Sequence, residues 1–101
     1  MSEQQICTCH KTKQRTEEEY KQLIHRLNRI EGQIRGIRGM VEKNVYCTDI
    51  LTQTAAVTAA LNAFSRELLG NHIRTCVVEG IREGKDETID ELMATLQKLM
   101  K

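Results

Sequence analysis

The 101-residue sequence contains no proline, no tryptophan and only three other aromatic residues, one phenylalanine and two tyrosines. No proline therefore interrupts a helix at any point of the chain. The residues that dominate are Ala, Leu, Ile, Glu, Gln and Arg, which favour helices, and no segment shows the alternating pattern of a strand. We predict an all-α protein. A chain of this length buries a modest core, and association between copies is a common remedy.

Long apolar runs are also missing. No stretch approaches the roughly 20 apolar residues that a membrane-spanning helix needs, and residues 1–5 are polar and carry no signal region. We therefore expect a cytoplasmic protein with no membrane partner, in which the four cysteines stay reduced. Such cysteines suggest metal ligands, redox thiols or core residues rather than disulfides, and the spacing of a zinc finger is absent.

Enzyme signatures are absent as well. The sequence shows no nucleophile–base pair, phosphate-binding loop or cofactor fingerprint, so we do not expect an enzyme. The net charge is only +1, which by itself does not indicate a nucleic-acid-binding protein. The distribution is more informative, because residues 1–43 carry nine basic against six acidic residues, whereas residues 44–101 carry six against eight. The basic excess thus lies on the amino-terminal part.

Three helices account for most of the chain. A hydroxyl followed three residues later by a carboxylate, the capping box, opens the first at Thr16 and Glu19 and the third at Thr88 and Glu91, although Asp86 is an alternative cap. Apolar residues then recur at spacings of three and four, which predicts helix–helix packing. The predicted segments are a flexible basic arm at 1–15 and helices at 16–43, 48–82 and 88–100, with 16–101 forming one helical domain. Gly84 is the predicted stop after the second helix.

Three residues in the second helical region have metal-binding chemistry. His72 and Cys76 are four residues apart, so a helix places them on one face. Cys47 precedes His72 by 25 residues, which is ~37 Å along a continuous helix. Cys47 therefore cannot share a metal with His72 and Cys76 of its own chain, whereas an antiparallel helix from a second copy brings it there and creates two equivalent sites. Two thiolates and one imidazole favour Cu(I), or Zn(II) if a fourth ligand is found.

Simpler interpretations exist for each of these residues. An isolated His-x-x-x-Cys pattern is more often a pair of core or interface residues than a metal site. In the arm, Cys7, Cys9 and His10 form a Cys-x-Cys-His pattern. It is either an accessory soft-metal site or an unstructured tail with incidental thiols, and the second interpretation is preferred.

Several motifs resemble one known family, the copper-sensitive operon repressors (CsoR/RcnR family). They are RLNRIEGQIRG at 26–36, YCTDILTQ at 46–53, AAV at 55–57 and NHIRTC at 71–76, in the family's order and spacing. The likeness covers roughly residues 16–100. It implies an all-helical protomer whose antiparallel dimer forms a four-helix bundle core and pairs into a tetramer. It also implies a repressor that leaves operator DNA when its inducer binds, derepressing copper efflux or resistance genes.

The resemblance further implies roles for individual residues. Copper-sensing members use the set that appears here as Cys47, His72 and Cys76, whereas nickel and cobalt sensors have His in place of Cys76. Tyr46 and Glu91 match positions that interact with the far nitrogen of the metal-bound His. Charge patterning adds four candidate DNA contacts, with help from the arm, namely Lys21, Arg26, Arg29 and Arg35.

Two alternative functions follow from the same residues. A repressor that senses persulfide or other reactive sulfur would join Cys47 and Cys76 of facing chains through a disulfide or sulfur bridge. A small cytosolic copper carrier would instead use Cys7 and Cys9 and would not bind DNA specifically. For both the copper-responsive repressor and the copper carrier, a copper chaperone that donates the metal is a candidate partner.

Overall fold

The computed structural model describes residues 13–100, and within that range the backbone forms helices and turns but no strand. Its elements are helix α1 (Glu17–Glu42), helix α2 (Cys47–His72), a π-helical turn (Ile73–Val77), helix α3 (Val78–Arg82) and helix α4 (Glu87–Leu99). His72, Ile73, Val77 and Val78 all have right-handed helical backbone angles. Residues 47–82 therefore form one continuous helical rod, and the predicted all-α, three-helix protomer is confirmed.

The amino-terminal end of α1 carries the predicted capping box. The Thr16 hydroxyl accepts a hydrogen bond from the Glu19 backbone N–H at 3.1 Å, and the Glu19 carboxylate accepts one from the Thr16 N–H at 3.2 Å. These bonds satisfy two donors at a helix end where four amide groups lack intrahelical partners. The box predicted at Thr88 is wrong, whereas the alternative, Asp86, is the N-cap residue of α4, although its side chain makes no capping hydrogen bond. Helix α4 begins at Glu87, so Thr88 lies inside its first turn, and the side chain packs against α3 instead.

Two helices end in the same type of turn. After α1, the Val45 N–H donates to the Met40 carbonyl at 3.0 Å and the Asn44 N–H to the Val41 carbonyl at 3.1 Å. Asn44 has φ 56°, and Gly84 has φ 76° at the matching position after α3. This is the Schellman motif, which needs a left-handed residue that Gly or Asn adopts at little cost. The predicted stop at Gly84 is therefore confirmed.

Helices α1 and α2 form an antiparallel hairpin. Arg26, in the first half of α1, lies 4.0 Å from Glu67, near the end of α2. Over residues 13–100 the buried apolar side chains are few, and they come from α1, α2 and the π turn: Leu23, Ile30, Val57 and Val77. The predicted modest core is thus seen directly, and most of the apolar stripe along α1 and α2 is only partly covered within one chain.

The uncovered apolar surface is large for so small a chain. Ile34 is 52% exposed on α1, Leu51 is 64% exposed on α2, and Met93 is 54% exposed on α4. The described part of the chain extends 55 × 30 × 22 Å, so it presents long helix faces rather than a closed globule. Exposed apolar side chains in such number on helix faces are typical of interaction surfaces. None of the helices in residues 13–100 is both long and apolar enough to span a membrane.

Candidate metal centre

The structure separates the three predicted ligands into a pair and a distant single residue. His72 is the last residue of α2 and Cys76 lies in the π turn that follows; both side chains are partly buried. Cys47 is the first residue of α2 and is exposed. The 25 intervening steps place it ~37 Å from His72 along the helix axis. Accordingly, residues 13–100 of one chain contain no cluster of three or more His, Cys, Asp or Glu side chains able to hold a metal.

The π turn is the feature that sequence reasoning missed. The Val78 N–H donates to the Ile73 carbonyl, five residues back rather than four, so the hydrogen-bonded loop encloses one residue more than in an α-helix. The Thr75 hydroxyl donates to the Asn71 carbonyl, four residues back, at 2.7 Å. The same hydroxyl-to-carbonyl bond is made by Thr52, Thr54 and Thr95 within regular α-helices, so a threonine alone does not predict a π turn. Such turns are frequent at functional sites.

The surroundings of Cys76 are defined by its neighbours in the turn. The Thr75 hydroxyl oxygen lies 3.7 Å from the Cys76 Sγ, and the shorter bond to Asn71 takes the hydroxyl proton. Val77, next in sequence, is only 3% exposed and fixes the turn against the core. Cys76 is a free, partly buried thiol next to the buried Val77, whereas Cys47 is a free thiol at the exposed start of α2.

Close packing between α3 and α4 holds the last helix beside this segment. A Cβ added at Gly80 would lie 2.8 Å from both Thr88 Cβ and Thr88 Cγ2 and would overlap the Thr88 hydroxyl. Only glycine permits this approach, and α4 also contacts the π turn. Glu91 follows Thr88 by one helical turn, and its backbone carbonyl accepts a hydrogen bond from the Thr95 hydroxyl at 3.0 Å. Gly80 thus permits the close approach of α4, the helix that carries Glu91, a role that the sequence did not reveal.

Tyr46 lies with Cys47 and not with His72 of the same chain. It is the residue before α2 and is 72% exposed. Any interaction of Tyr46 with a metal-bound His72 therefore needs the same second chain that Cys47 needs. The candidates Cys7, Cys9 and His10 lie outside the described residues.

Two adjoining grooves run between α1 and α2, of about 220 Å³ and about 300 Å³. We call the first the arginine groove; its lining residues are Arg26, Ala63, Arg66, Glu67, Gly70 and Arg74. Arg26 and Arg29, two of the predicted DNA contacts, line the second groove. Alanine side chains on α2 keep both grooves open.

The other two predicted DNA contacts lie on the surface of α1. Arg35 is exposed, and Lys21 lies 3.7 Å from the Glu17 carboxylate in an exposed pair one turn apart. Sequence reasoning missed Arg66 and Arg74, because they belong to the acidic half of the chain. They join the basic residues of α1 only through the hairpin.

Comparison with known proteins places these features in context. Residues 19–98 match the family described as metal-sensitive transcriptional repressor. The chain is 44% identical over 94 residues to the copper-sensing transcriptional repressor CsoR of Bacillus subtilis, which covers 91% of this chain and 93% of that protein.

Two solved structures are similar in fold. The copper-sensing repressor CsoR with Cu(I) from Geobacillus thermodenitrificans has a TM-score of 0.84 and 45% identity, covering 89% of this chain and 95% of that one. The nickel-responsive transcriptional regulator InrS has a TM-score of 0.69 and 36% identity, covering 88% and 98%. Because sensors of two different metals share the fold, the ligand set must decide which metal is sensed.

Proposed function

The chain belongs to the family of metal-sensitive transcriptional repressors, and on that premise we propose that it is a Cu(I)-responsive repressor. It binds operator DNA when metal-free and is released when Cu(I) is bound, which derepresses copper efflux or resistance genes. One observation carries the choice of metal: a chain similar to copper-sensing repressors over nine-tenths of its length has thiols at 47 and 76 and an imidazole at 72. Soft sulfur ligands select Cu(I) over harder ions.

The site is shared between two chains. His72 and Cys76 of one protomer and Cys47 of the partner subunit would hold the ion, because one chain alone keeps Cys47 ~37 Å away. An antiparallel pairing of two α2 helices brings opposite helix ends together and creates two equivalent sites. The exposed apolar side chains along α1 and α2, such as Ile34 and Leu51, support this homodimer, because pairing would cover them. A pair of such dimers would form the tetramer.

The donor set fits Cu(I). Thiolate and imidazole side chains would suit this soft monovalent ion as ligands. His72 would ligate through one ring nitrogen and direct the other toward Tyr46 and Glu91, which would fix the ring. Glu91 is carried on α4, and the Gly80–Thr88 contact and the contacts of α4 with the π turn support a place for it near His72. Tyr46 would come from the partner subunit together with Cys47.

Operator DNA is the second partner. Arg26 and Arg29 line the grooves between α1 and α2, and exposed Lys21 and Arg35 extend the basic surface along α1. These side chains would contact phosphates, so binding weakens as salt rises. Release by copper requires that the DNA-free form bind Cu(I) more tightly, and typical couplings of ~1–3 kcal/mol change affinity ~5- to 150-fold.

The proposal is tested by measuring DNA affinity with and without the metal. Operator DNA, selected from a random library by the metal-free protein, is titrated anaerobically by fluorescence anisotropy before and after loading one Cu(I) per chain. The wild-type protein should lose affinity on loading, and Cys47→Ser should keep DNA binding but lose the response. A matched Cys7→Ser/Cys9→Ser variant should respond like the wild type.

Other outcomes of this experiment would support a different function. Unchanged DNA affinity in the fully loaded protein would refute copper sensing. Release by persulfide instead, with a Cys47–Cys76 crosslink in the mass spectrum, would favour reactive-sulfur sensing. Absence of specific DNA binding, with Cu(I) transfer that survives Cys47→Ser, would favour the carrier.

A further inference from the structure

Arg74 lies between the two proposed metal ligands in sequence, but its side chain lines the arginine groove. It is the second residue of the π turn, two positions after His72 and two before Cys76. One short segment therefore carries a metal ligand at each end and a groove residue in the middle. Backbone movement between the ligands displaces the Cα from which the Arg74 side chain reaches the groove.

The structure holds this guanidinium in place before anything binds. Arg74 Nη2 donates to Asn71 Oδ1 at 2.7 Å, and Asn71 is only 7% exposed, so the acceptor itself is anchored. Arg74 Nη1 lies 3.4 Å from the position of a Cβ at Gly70, so the guanidinium lies at van der Waals distance from this part of α2. A side chain that is already ordered loses less entropy on binding a ligand.

The charges of the groove select an anion. Arg26, Arg66 and Arg74 supply three guanidinium groups, and Glu67 supplies one carboxylate that lies 4.0 Å from Arg26. The balance is positive, and guanidinium forks match the oxygens of a phosphate. Glu67 opposes such a ligand, so it limits the affinity of the groove for an anion. A volume of about 220 Å³ accommodates one phosphate group.

We propose that the arginine groove binds a backbone phosphate of operator DNA and that Arg74 links this contact to the metal ligands on either side of it. The proposal rests on the proposed function and assigns a regulatory role to residues outside the predicted DNA contacts. When His72 and Cys76 hold the metal, the backbone around Arg74 is fixed in the arrangement that they require, and Arg74 leaves the phosphate. Linkage is reciprocal, so DNA bound at Arg74 lowers Cu(I) affinity by the same factor.

The test compares Arg74→Ala with Arg82→Ala, which removes the same charge from an exposed position on α3 outside the groove. Operator affinity of the metal-free protein is measured by anisotropy at several salt concentrations. Arg74→Ala should weaken binding about tenfold or more, because a charged hydrogen bond is lost. It should also lower the salt slope by about 0.9 for each phosphate contact removed. Arg82→Ala should change neither quantity by more than about twofold.

Two further variants probe the chemistry of the groove. Glu67→Gln should strengthen metal-free DNA binding, because the opposing carboxylate is gone. Arg74→Lys keeps the charge without the fork, so its affinity should lie between those of wild type and Arg74→Ala. In both Arg74 variants Cu(I) stoichiometry should stay at the wild-type value, while the ratio of metal-free to metal-loaded DNA affinity should fall.

The remaining outcomes separate the two proposals and the two sources of phosphate. If wild type binds and releases DNA but Arg74→Ala behaves like Arg82→Ala, this inference is overturned and the proposed function stands. If inorganic phosphate perturbs the NMR signals of Asn71 and Arg74 while Arg74→Ala leaves DNA affinity intact, the groove takes free phosphate and the link to DNA is refuted. If wild type itself does not bind operator DNA, the proposed function fails first.

Discussion

Replacing Gly80 by alanine tests whether the contact between α3 and α4 positions the last helix. The new Cβ would stand 2.8 Å from two carbon atoms of Thr88, a separation that real Cβ atoms essentially never show. Because the atoms met are at the base of a short branched side chain, α4 itself must move. Overpacking of this kind costs typically ~1–3 kcal/mol. Replacing glycine by alanine in a helix interior stabilises the fold by roughly 1 kcal/mol. We therefore expect the free energy of unfolding to fall by up to about 2 kcal/mol in total.

Gly36→Ala is the matched control, because Gly36 is exposed in α1 and an added Cβ meets no atom within 4 Å in the described part of the chain. It should stabilise by up to about 1 kcal/mol. Thermal unfolding resolves these effects, since 1 kcal/mol shifts the Tm of a domain this size by roughly 4–8 °C. Adding Thr88→Ala to Gly80→Ala should recover part of the loss, because it removes two of the three atoms in conflict.

The same variant reports on Glu91. If α4 is displaced, Glu91 moves with it, and the fall in DNA affinity on Cu(I) loading should shrink in Gly80→Ala while metal-free DNA binding stays intact. A Gly80→Ala protein as stable as Gly36→Ala, with an unchanged copper response, would refute the positioning role.

Three further substitutions test local features. Thr16→Ala removes the capping box of α1 and should cost ~1 kcal/mol in urea unfolding, whereas Ser should retain most of it. Asn44→Ala should cost ~1 kcal/mol and Asn44→Gly should not, because φ is 56° there; equal stability of the two would contradict the left-handed turn. Thr75→Val removes the 2.7 Å bond to the Asn71 carbonyl and should shift the Cα chemical shifts of 72–77 toward a regular α-helix. Unchanged shifts would show that the hydroxyl does not maintain the π turn.

Local rules were sufficient to predict the helices. The capping box at Thr16 and the glycine at 84 mark real ends, and the apolar spacing in α1 and α2 predicts their packing. The capping box predicted at Thr88 does not form, because the Thr88 side chain packs against Gly80 of α3 instead. A residue type that is common at caps does not reveal whether another helix will pack on it.

The candidate site was predictable in chemistry but not in detail. Helix length alone shows that Cys47 and His72 of one chain cannot meet, and the structure keeps them at opposite ends of α2. The π turn is a shift of backbone hydrogen bonds within a single turn, which apolar spacing does not reveal. The arginine groove depends on the hairpin, because Arg66 and Arg74 reach Arg26 only after α2 has folded back on α1.

The central claim, that each copper site is built from two chains, can be tested by mixing defective subunits. Cys47→Ser and Cys76→Ser proteins are each expected to lack the intact site. The two proteins are mixed in equal amounts, unfolded together and refolded. Half of the resulting dimers should then contain one Cys47→Ser subunit and one Cys76→Ser subunit. Each such pair regains one site from the intact Cys47 of one chain and the intact His72 and Cys76 of the other.

Copper-edge X-ray absorption of the mixture should then show coordination by two sulfurs and one nitrogen at about a quarter of the wild-type site count. Neither variant should give this signal alone. If the mixture showed no more such sites than its separate components, the ligands would not be shared across the interface, and the account would be wrong.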